Sequence, residues 1–406
     1  MSFSPLRGIR VVDFCSNIAG PFASMILAQL GADVVKVEQP GGDDSRFFAS
    51  RLNGTSVVHS YVGAGKRGIV LDLKDPDGRR VALDLIRAAD VAIQSMRPGV
   101  ADRLGIGQAA AVAENPEILY YDVNAFGTGP CGRDLPGYDP LVQAFSGIMT
   151  MNGHDGNPPT RCAPSVVDLG TGQWVAMGVL AALLGRDRGH PVGTMETALV
   201  DTAFSLVAYQ ATSALVTGER PPRAGSGNPI AAPYQCYAAR DGYLLIAAPS
   251  QRLWENAVRA LDAPQLLADD RFGTVADRSR HRAELEVAIN EVVGQADVSH
   301  WIKRLKGAGV PAGTVNGLEE AVTDEVAAER QTFQPAGDVP LVRLPWLADG
   351  RALPWARPAP GLGEHTREVL DEIGYTPERI DDLVARSVVR CGAPAAAEHT
   401  YPRETP

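Results

Sequence analysis

The first 125 residues alternate between short β-branched runs and amphipathic stretches, and that alternation sets the fold class before any motif is read. Ile9–Phe14 reads as a buried strand, Pro21–Leu30 as a helix with proline in its first turn, and Val34–Glu38 as a second strand. Ile69–Leu73, Val91–Gln94 and Ile118–Val123 continue the strand series, and Pro76–Ala89 supplies a helix opened by Asp75 as its N-cap. Strands separated by helices in this way build a parallel sheet covered on both faces, an α/β fold.

Further along, residues 139–217 are apolar and read as mostly helical. Residues 218–233 are rich in Gly and Pro, as at a domain boundary or a mobile loop. Tyr234–Ala239 and Tyr243–Ala248, joined by Asp241-Gly242, carry a hairpin signal. Helices follow near 251–261, 281–294 and 299–307, then a strand-like Val310–Val315, so 225–325 reads as a second, smaller α+β domain. Residues 335–362 look extended, Glu364–Ile373 and Pro377–Val389 read as closing helices, and 391–406 as a flexible tail. No repeat period appears.

Composition narrows the function classes. Hydrophobic content of 45% with 21% charged residues belongs to a folded chain, not a disordered one. The net charge of −10 lacks the basic footprint of a nucleic-acid binder, but leaves room for a small polyanion held by local charges. Five scattered cysteines without a CxxC pair read as reduced, mostly buried thiols of a cytoplasmic protein. Arg7 leads straight into Ile9–Phe14, so no secretory signal is expected. The longest uncharged stretches, Leu169–Gly185 and Thr202–Gly218, have 17 residues each, and read as buried helices, not membrane spans.

Several places could hold chemistry. The first strand–helix–strand unit invites a dinucleotide site with Glu38 at the ribose, but its turn, Cys15-Ser16-Asn17-Ile18-Ala19-Gly20-Pro21, has one glycine where GxGxxG is required. Asp168 lies between an apolar extended run and an uncharged helix ending near Arg186. A carboxylate at that helix N-terminus would be favoured in its ionised form. It reads either as a plain N-cap or as a nucleophile, with Gly170 and Gly172 admitting a close neighbour. Gly65-Lys66-Arg67-Gly68 and Met96-Arg97-Pro98-Gly99 are unusual for plain surface. Loops beyond the carboxyl ends of strands bind ligands in open α/β sheets, so Lys74, Arg97 and Arg103 read either as phosphate contacts or as solvated charges. His281 and His300 read as exposed, no cluster has metal-ligand spacing, and no GxSxG elbow is present.

Taken together the chain resembles the family III CoA-transferases, the group of formyl-CoA and carnitine CoA-transferases that also includes α-methylacyl-CoA racemases. The resemblance runs from Pro5 to about Val389. It rests on the run Pro5–Phe14, Ala19-Gly20-Pro21, the run Leu30–Glu38, Lys66-Arg67, the run Leu71–Lys74, Arg97-Pro98-Gly99, Gly137-Tyr138-Asp139, Gln143-Ala144, Asp168 and Pro360–Thr366. Each piece is short; their order and spacing carry the specificity.

The resemblance implies a Rossmann-like large domain made from both termini, 1–224 and 326–390, with the small domain 225–325 inserted, and an interlocked homodimer. It implies acyl-CoA and a small carboxylic acid as substrates, coenzyme A as the only cofactor-like partner, and Asp168 as the nucleophile. Asp168 would pass through an acyl anhydride and an aspartyl-CoA thioester. Oxyanion donors would come from backbone N–H groups near Ala19 or in the 225–228 loop, with Gly225, Ser226, Gly227 and Asn228 forming a substrate loop that keeps water out. Positions matching CoA contacts are Ile18, Ala19, Gln39, Leu71, Asp72, Leu73, Lys74, Ser95, Met96, Arg97, Arg103 and Tyr138. Gln39 and the Gly225–Asn228 run depart from the formyl-CoA:oxalate pattern, and the Gly189–Gly193 turn departs from the GxGQ turn usual among relatives. The racemase branch, the alternative, uses a histidine where this chain has Tyr138, and tyrosine, with an ordinary pKa near ~10, is a poor base at neutral pH. A third class is a binding-only CoA protein.

Overall fold

The computed structural model describes residues 3–48, 51–52 and 54–392, so most of the expected tail at 391–406 lies outside the described residues. The described residues pack as two units: those within 3–146, 163–208 and 326–392 form the larger, and those within 147–162 and 209–325 the smaller.

The larger unit is built on the expected parallel sheet. Its strands are β1 (Arg10–Phe14), β2 (Asp33–Glu38), β3 (Arg67–Leu71), β4 (Val91–Gln94), β5 (Leu119–Asn124) and β6 (Thr194–Ala198). They lie in the order β3-β2-β1-β4-β5-β6, all parallel, and a short strand, Val389–Arg390, adds antiparallel to the outer edge of β3. This is the doubly wound order, whose direction reverses between β1 and β4; a ligand crevice forms outside the carboxyl ends of the strands at that point.

Helix α1 (Ala19–Gln29) crosses from β1 to β2 and is buried along its whole length, and α2 (Pro76–Arg87) crosses from β3 to β4. The Asp75 side chain caps α2 by accepting the Asp77 N–H, as expected. Three more helices lie between or beyond the last two strands: α3 (Asp139–Phe145), α4 (Val166–Asp187) and α5 (Leu199–Leu206). Helix α4 has 22 residues, long and apolar enough to cross a membrane by length and composition. In the fold it packs on α1, with Gly172 at the crossing: a Cβ there would stand 2.7 Å from the Ala19 carbonyl oxygen and 2.8 Å from the Phe22 ring. The close neighbour that Gly172 admits is therefore another helix.

One reading of secondary structure needs correction and another a refinement. The stretch 139–217 is mostly helical, as expected, but it also contributes Thr194–Ala198 as edge strand β6. Only one of its five residues, Ala198, is fully buried, so it lacks the apolar run of a central strand. The last helix ends at Ala385, not Val389: Ser387 turns the chain at φ 60°, and Val389 joins the sheet. Of the five cysteines, expected to be mostly buried, only Cys15 is buried in the fold.

The smaller unit has its own core, including Tyr237, Trp254, Phe272, Ile289 and Trp301, beneath the expected hairpin Tyr234–Ala238/Tyr243–Ala247 and the strand Ala312–Thr314. It begins at Tyr209, ahead of the expected 225, and it recruits residues 147–162, which were expected in the large domain. Arg223 makes that connection, donating to the carbonyls of Asn152 and Pro158, while Gly225 N–H donates to Gly153 O at 3.1 Å.

Beneath the switch point lies a buried ionic network. Asp13, at the end of β1, is wholly buried; its Oδ2 accepts from Lys66 Nζ at 2.9 Å and Ser24 Oγ at 2.6 Å, and its Oδ1 from Cys15 N–H at 2.8 Å. Lys66 also donates to Pro21 O at 2.8 Å, and Lys36 pairs with Asp43 at 3.2 Å. Burial pushes Asp13 up, but the charges of Lys66 and Lys36 and the Ser24 hydroxyl outweigh it and hold the carboxyl well below its ordinary range. Arg67 is likewise structural, bonded to Asp33, Glu368 and Glu372. The Lys66-Arg67 cluster is therefore internal scaffolding. Replacing Lys66 with methionine would strip buried Asp13 of its directly bonded cation and leave only Lys36 at 4.0 Å to offset its charge, and we expect a loss of about 3 kcal/mol, measured by urea denaturation.

Candidate active site

Two clefts open at the carboxyl ends of the strands and share Ser16 and Met96 in their linings. The first, about 410 Å³, sits at the switch point between β1 and β4 and is lined by Ser16–Gly20, Ser95–Pro98, Asn124, Leu135, Tyr138 and Asp168, among others. The second, about 370 Å³, runs over β2 and β3 and is lined by Lys36–Pro40, Leu71–Lys74 and Leu104, among others. Of the positions expected to touch CoA, Ile18, Ala19, Ser95, Arg97 and Tyr138 line the first cleft, Gln39 and Leu71 to Lys74 the second, and Met96 both. Arg103 is exposed on a short helical turn, Val100–Arg103, and belongs to neither lining. Gln39 is exposed and folds its amide back onto Gly42 O at 3.1 Å.

The 225–228 run belongs to the smaller unit and is bonded within it. Gly225 N–H goes to Gly153 O, Gly227 N–H to Ala224 O at 2.7 Å and Asn228 N–H to Tyr234 O at 2.9 Å. Ser226 Oγ accepts from Cys236 N–H at 3.0 Å. Gly225 is irreplaceable in this turn: its φ is +57°, and a Cβ would fall 2.5 Å from the His154 ring. Three of the four N–H groups are thus engaged, which leaves the start of α1 as the better source of oxyanion donors.

Helix α1 begins without a side-chain cap and without an acid in its first turn. The preceding turn is pinned by Ser16 N–H to Ser95 Oγ at 3.0 Å and Asn17 N–H to Asp43 Oδ1 at 3.3 Å. Gly20 permits this tight entry, since a Cβ would meet Cys15 Sγ at 2.3 Å. Among the described residues no acceptor lies on the N–H groups of Ala19 and Gly20, and both residues line the first cleft. Such a helix end favours negative charge.

Asp168 reaches the same cleft from α4. It is the third helical residue and not the N-cap, which is Ser165. Nor does the helix end favour its ionised form, as the sequence suggested. Asp139, 2% exposed at the start of α3, places Oδ2 on the N–H groups of Val167 at 2.8 Å and Asp168 at 3.2 Å. The Asp168 carboxylate has no hydrogen-bond or ion-pair partner among the described residues. Burial, and then the nearby charge of Asp139, push its pKa from 3.8 up to about 7. Arg97 is the other charged residue in the lining, and it is exposed.

Sequence reasoning missed the role of Asp139. Its signal was present, an acid just before Pro140 with Gln143 one turn on, but that pattern reads as a cap for its own helix. In the fold it caps α4, and Gln143 Nε2 holds its other oxygen at 2.5 Å.

With the site's geometry in place, comparison with known proteins is decisive. The family model described as CoA-transferase family III matches residues 6–366. The chain belongs to CoA-transferase family III. This CoA-transferase is similar to the acetyl-CoA:oxalate CoA-transferase of Acetobacter aceti, 34% identical over 364 residues, which are 89% of this chain and 93% of that protein. It is also similar to the succinate–glutarate CoA-transferase of Agrobacterium fabrum, 32% identical over 383 residues, 91% of this chain and 96% of that one. In structure it matches a CaiB/BaiF family protein from Brucella suis with a TM-score of 0.84 at 30% identity, covering 92% of this chain and 100% of the other. As a family III enzyme the chain uses coenzyme A as a co-substrate and transfers it between acids.

The raised pKa of Asp168 has a cost in stability. The unfolded chain releases this proton near 3.8 and the folded chain near 7, so folding takes up a proton between them and stability falls as pH rises through that window. We expect Asp168→Asn to be more stable than the parent by on the order of 3 kcal/mol at pH 8. The gain should shrink to nothing near pH 4, as followed by chemical denaturation.

Proposed function

We propose that this CoA-transferase works through Asp168 as a carboxylate nucleophile, with CoA lying along the two joined clefts and the acyl carbon in the first. The observation that carries the reading is an unpaired, largely buried carboxylate in the switch-point cleft, in the same lining as the unused N–H groups of Ala19 and Gly20. A carboxylate stripped of water and of hydrogen-bond donors is a stronger nucleophile than a solvated one.

Asp168 attacks the thioester carbonyl of an acyl-CoA. The tetrahedral oxyanion takes the Ala19 and Gly20 N–H groups, and its collapse expels CoA thiolate and leaves a mixed anhydride. The thiolate then attacks the Asp168 carbonyl, forming an aspartyl-CoA thioester and freeing the first acid. A second acid attacks that thioester, and the same steps in reverse give the new acyl-CoA. The energy of the thioester is kept throughout, so no ATP is needed. Lys74 in the second cleft and Arg97 in the first offer positive charge to the CoA phosphates.

The acids are small carboxylates of the kind named for the relatives, among them oxalate, succinate and glutarate. The lining disfavours the racemase alternative, because Arg97 and Asp168 are its charged residues, it contains no histidine, and Tyr138 is 60% exposed. The functional form in this reading is a homodimer: Trp174, Met177 and Leu184 on α4 and Phe204 and Leu206 on α5 are all more than 40% exposed, an apolar surface suited to a second copy. Light scattering at micromolar concentration is expected to give twice the chain mass, and a monomer with full activity would contradict that.

For the chemistry, Asp168→Ala should lower the rate of CoA exchange by roughly a thousandfold or more. In the parent enzyme kcat/KM for the acyl-CoA should fall tenfold per pH unit below about 7, because the protonated carboxyl is not nucleophilic. Full exchange activity in the alanine variant, or a pH profile flat down to 5, would sink the assignment.

A further inference from the structure

We infer that Asp139 is a positioning residue that withholds the α4 helix end from Asp168, so that the free carboxylate is held at high energy and the covalent aspartyl-CoA form is favoured over it. The inference rests on Asp168 being the nucleophile.

The geometry is specific. The first N–H groups of a helix lack intrahelical partners and ordinarily steady an anion placed in the first turn. In α4 all of them are spoken for: Val166 N–H by Pro164 O at 2.8 Å, Val167 and Asp168 N–H by Asp139 Oδ2, and Leu169 N–H by Ser165 O at 3.0 Å. Asp168 sits in that turn and receives none. Instead it has beside it a second carboxylate, buried and clamped by Gln143. The other elements packed on this turn bring little countercharge. Helix α1 has no charged residue from Ala19 to Gln29, α5 carries Asp201, which is exposed, and Arg97 in the cleft lining is exposed as well. The charge of Asp139 is accordingly the one group that raises Asp168 beyond what burial does.

This matters because the charge of Asp168 disappears during the reaction. Over the first half-reaction, ionised Asp168 and acyl-CoA become the aspartyl-CoA thioester and a free carboxylate. The C–S bond of the acyl thioester breaks, a C–S bond to the Asp168 carbonyl carbon forms, and one Asp168 oxygen leaves in the released acid, which carries the negative charge away. Repulsion from Asp139 acts on ionised Asp168 but not on the neutral thioester. It therefore raises the reactant side alone and shifts the balance toward covalent enzyme, tenfold for each pK unit that Asp139 contributes.

The test is the extent of covalent labelling, read by intact-protein mass spectrometry after equilibration with one acyl-CoA and its own acid at a fixed ratio above pH 8. Asp139→Asn removes the charge and keeps an acceptor for the helix end. We expect its labelled fraction, relative to free enzyme, to fall about tenfold or more, and the acid limb of kcat/KM to move to lower pH. Asp139→Glu, which retains the charge, should keep the limb near its original place. If Asp139→Asn does not fold, Asp139→Ser makes the same neutral change with a side chain favoured at helix N-termini. Equal labelling and an unmoved limb in the neutral variant would overturn the proposal and leave Asp139 as a plain cap. No adduct on Asp168 in the parent would instead overturn the nucleophile assignment on which it stands.

Discussion

Asp13 carries its charge with no exposure to solvent, and the region around the switch point is arranged about the need to answer it. Lys66 comes from the start of β3, Ser24 from α1, and the Cys15 N–H from the turn between β1 and α1. One carboxylate thereby ties the end of β1 to the start of β3, two strands away in the sheet, and to helix α1. Removing a partner from a buried pair costs several kcal/mol, far more than a surface ion pair contributes, so the arrangement is held firmly. Lys66 also binds the Pro21 carbonyl, in the first turn of α1, and so anchors the helix start that lines the first cleft.

Two helix ends then divide the electrostatic work. The start of α1 is left uncapped, with the N–H groups of Ala19 and Gly20 unused; on the proposed mechanism they meet the oxyanion. The start of α4 is fully used, because Asp139 occupies it, and the carboxylate that would otherwise draw on it is left high in energy. A helix N-terminus is worth up to about 2 kcal/mol to a nearby anion in a partly buried setting, enough to matter for a nucleophile. The same helix type thus serves opposite purposes a short distance apart, and which purpose it serves depends on a single capping side chain.

Much of the fold could be read from the sequence because central parallel strands announce themselves: the runs at β1, β2, β4 and β5 are apolar on consecutive residues, and Asp75 before Pro76 marks a helix start. Edge strand β6 could not be read that way, since only Ala198 among its five residues is fully buried. The joining of 147–162 to the smaller unit rests on Arg223 and backbone carbonyls, which leave no periodic trace. In the site, position after a strand points to Lys74, Arg97 and Arg103, of which the clefts gather the first two; the remaining candidate contacts came from the family resemblance. Buried charges were less legible. Lys66 stands out as unusual for plain surface, but its role is not visible until Asp13 is seen beside it, and Asp139 resembles a cap for its own helix until α4 is seen against it. Partners distant in sequence decide what a charge does, and periodicity carries no information about them.

The account turns on whether an oxygen of Asp168 enters the chemistry. An acceptor acid whose carboxylate carries the heavy oxygen isotope would be turned over with unlabelled acyl-CoA, and the peptide containing Asp168 then weighed. If that acid forms an anhydride with Asp168, one labelled oxygen stays on the aspartate each time the new acyl-CoA leaves, and the peptide gains mass. Sustained turnover with Asp168 unlabelled would show that CoA passes between the acids without this carboxylate, and would contradict the account at its centre.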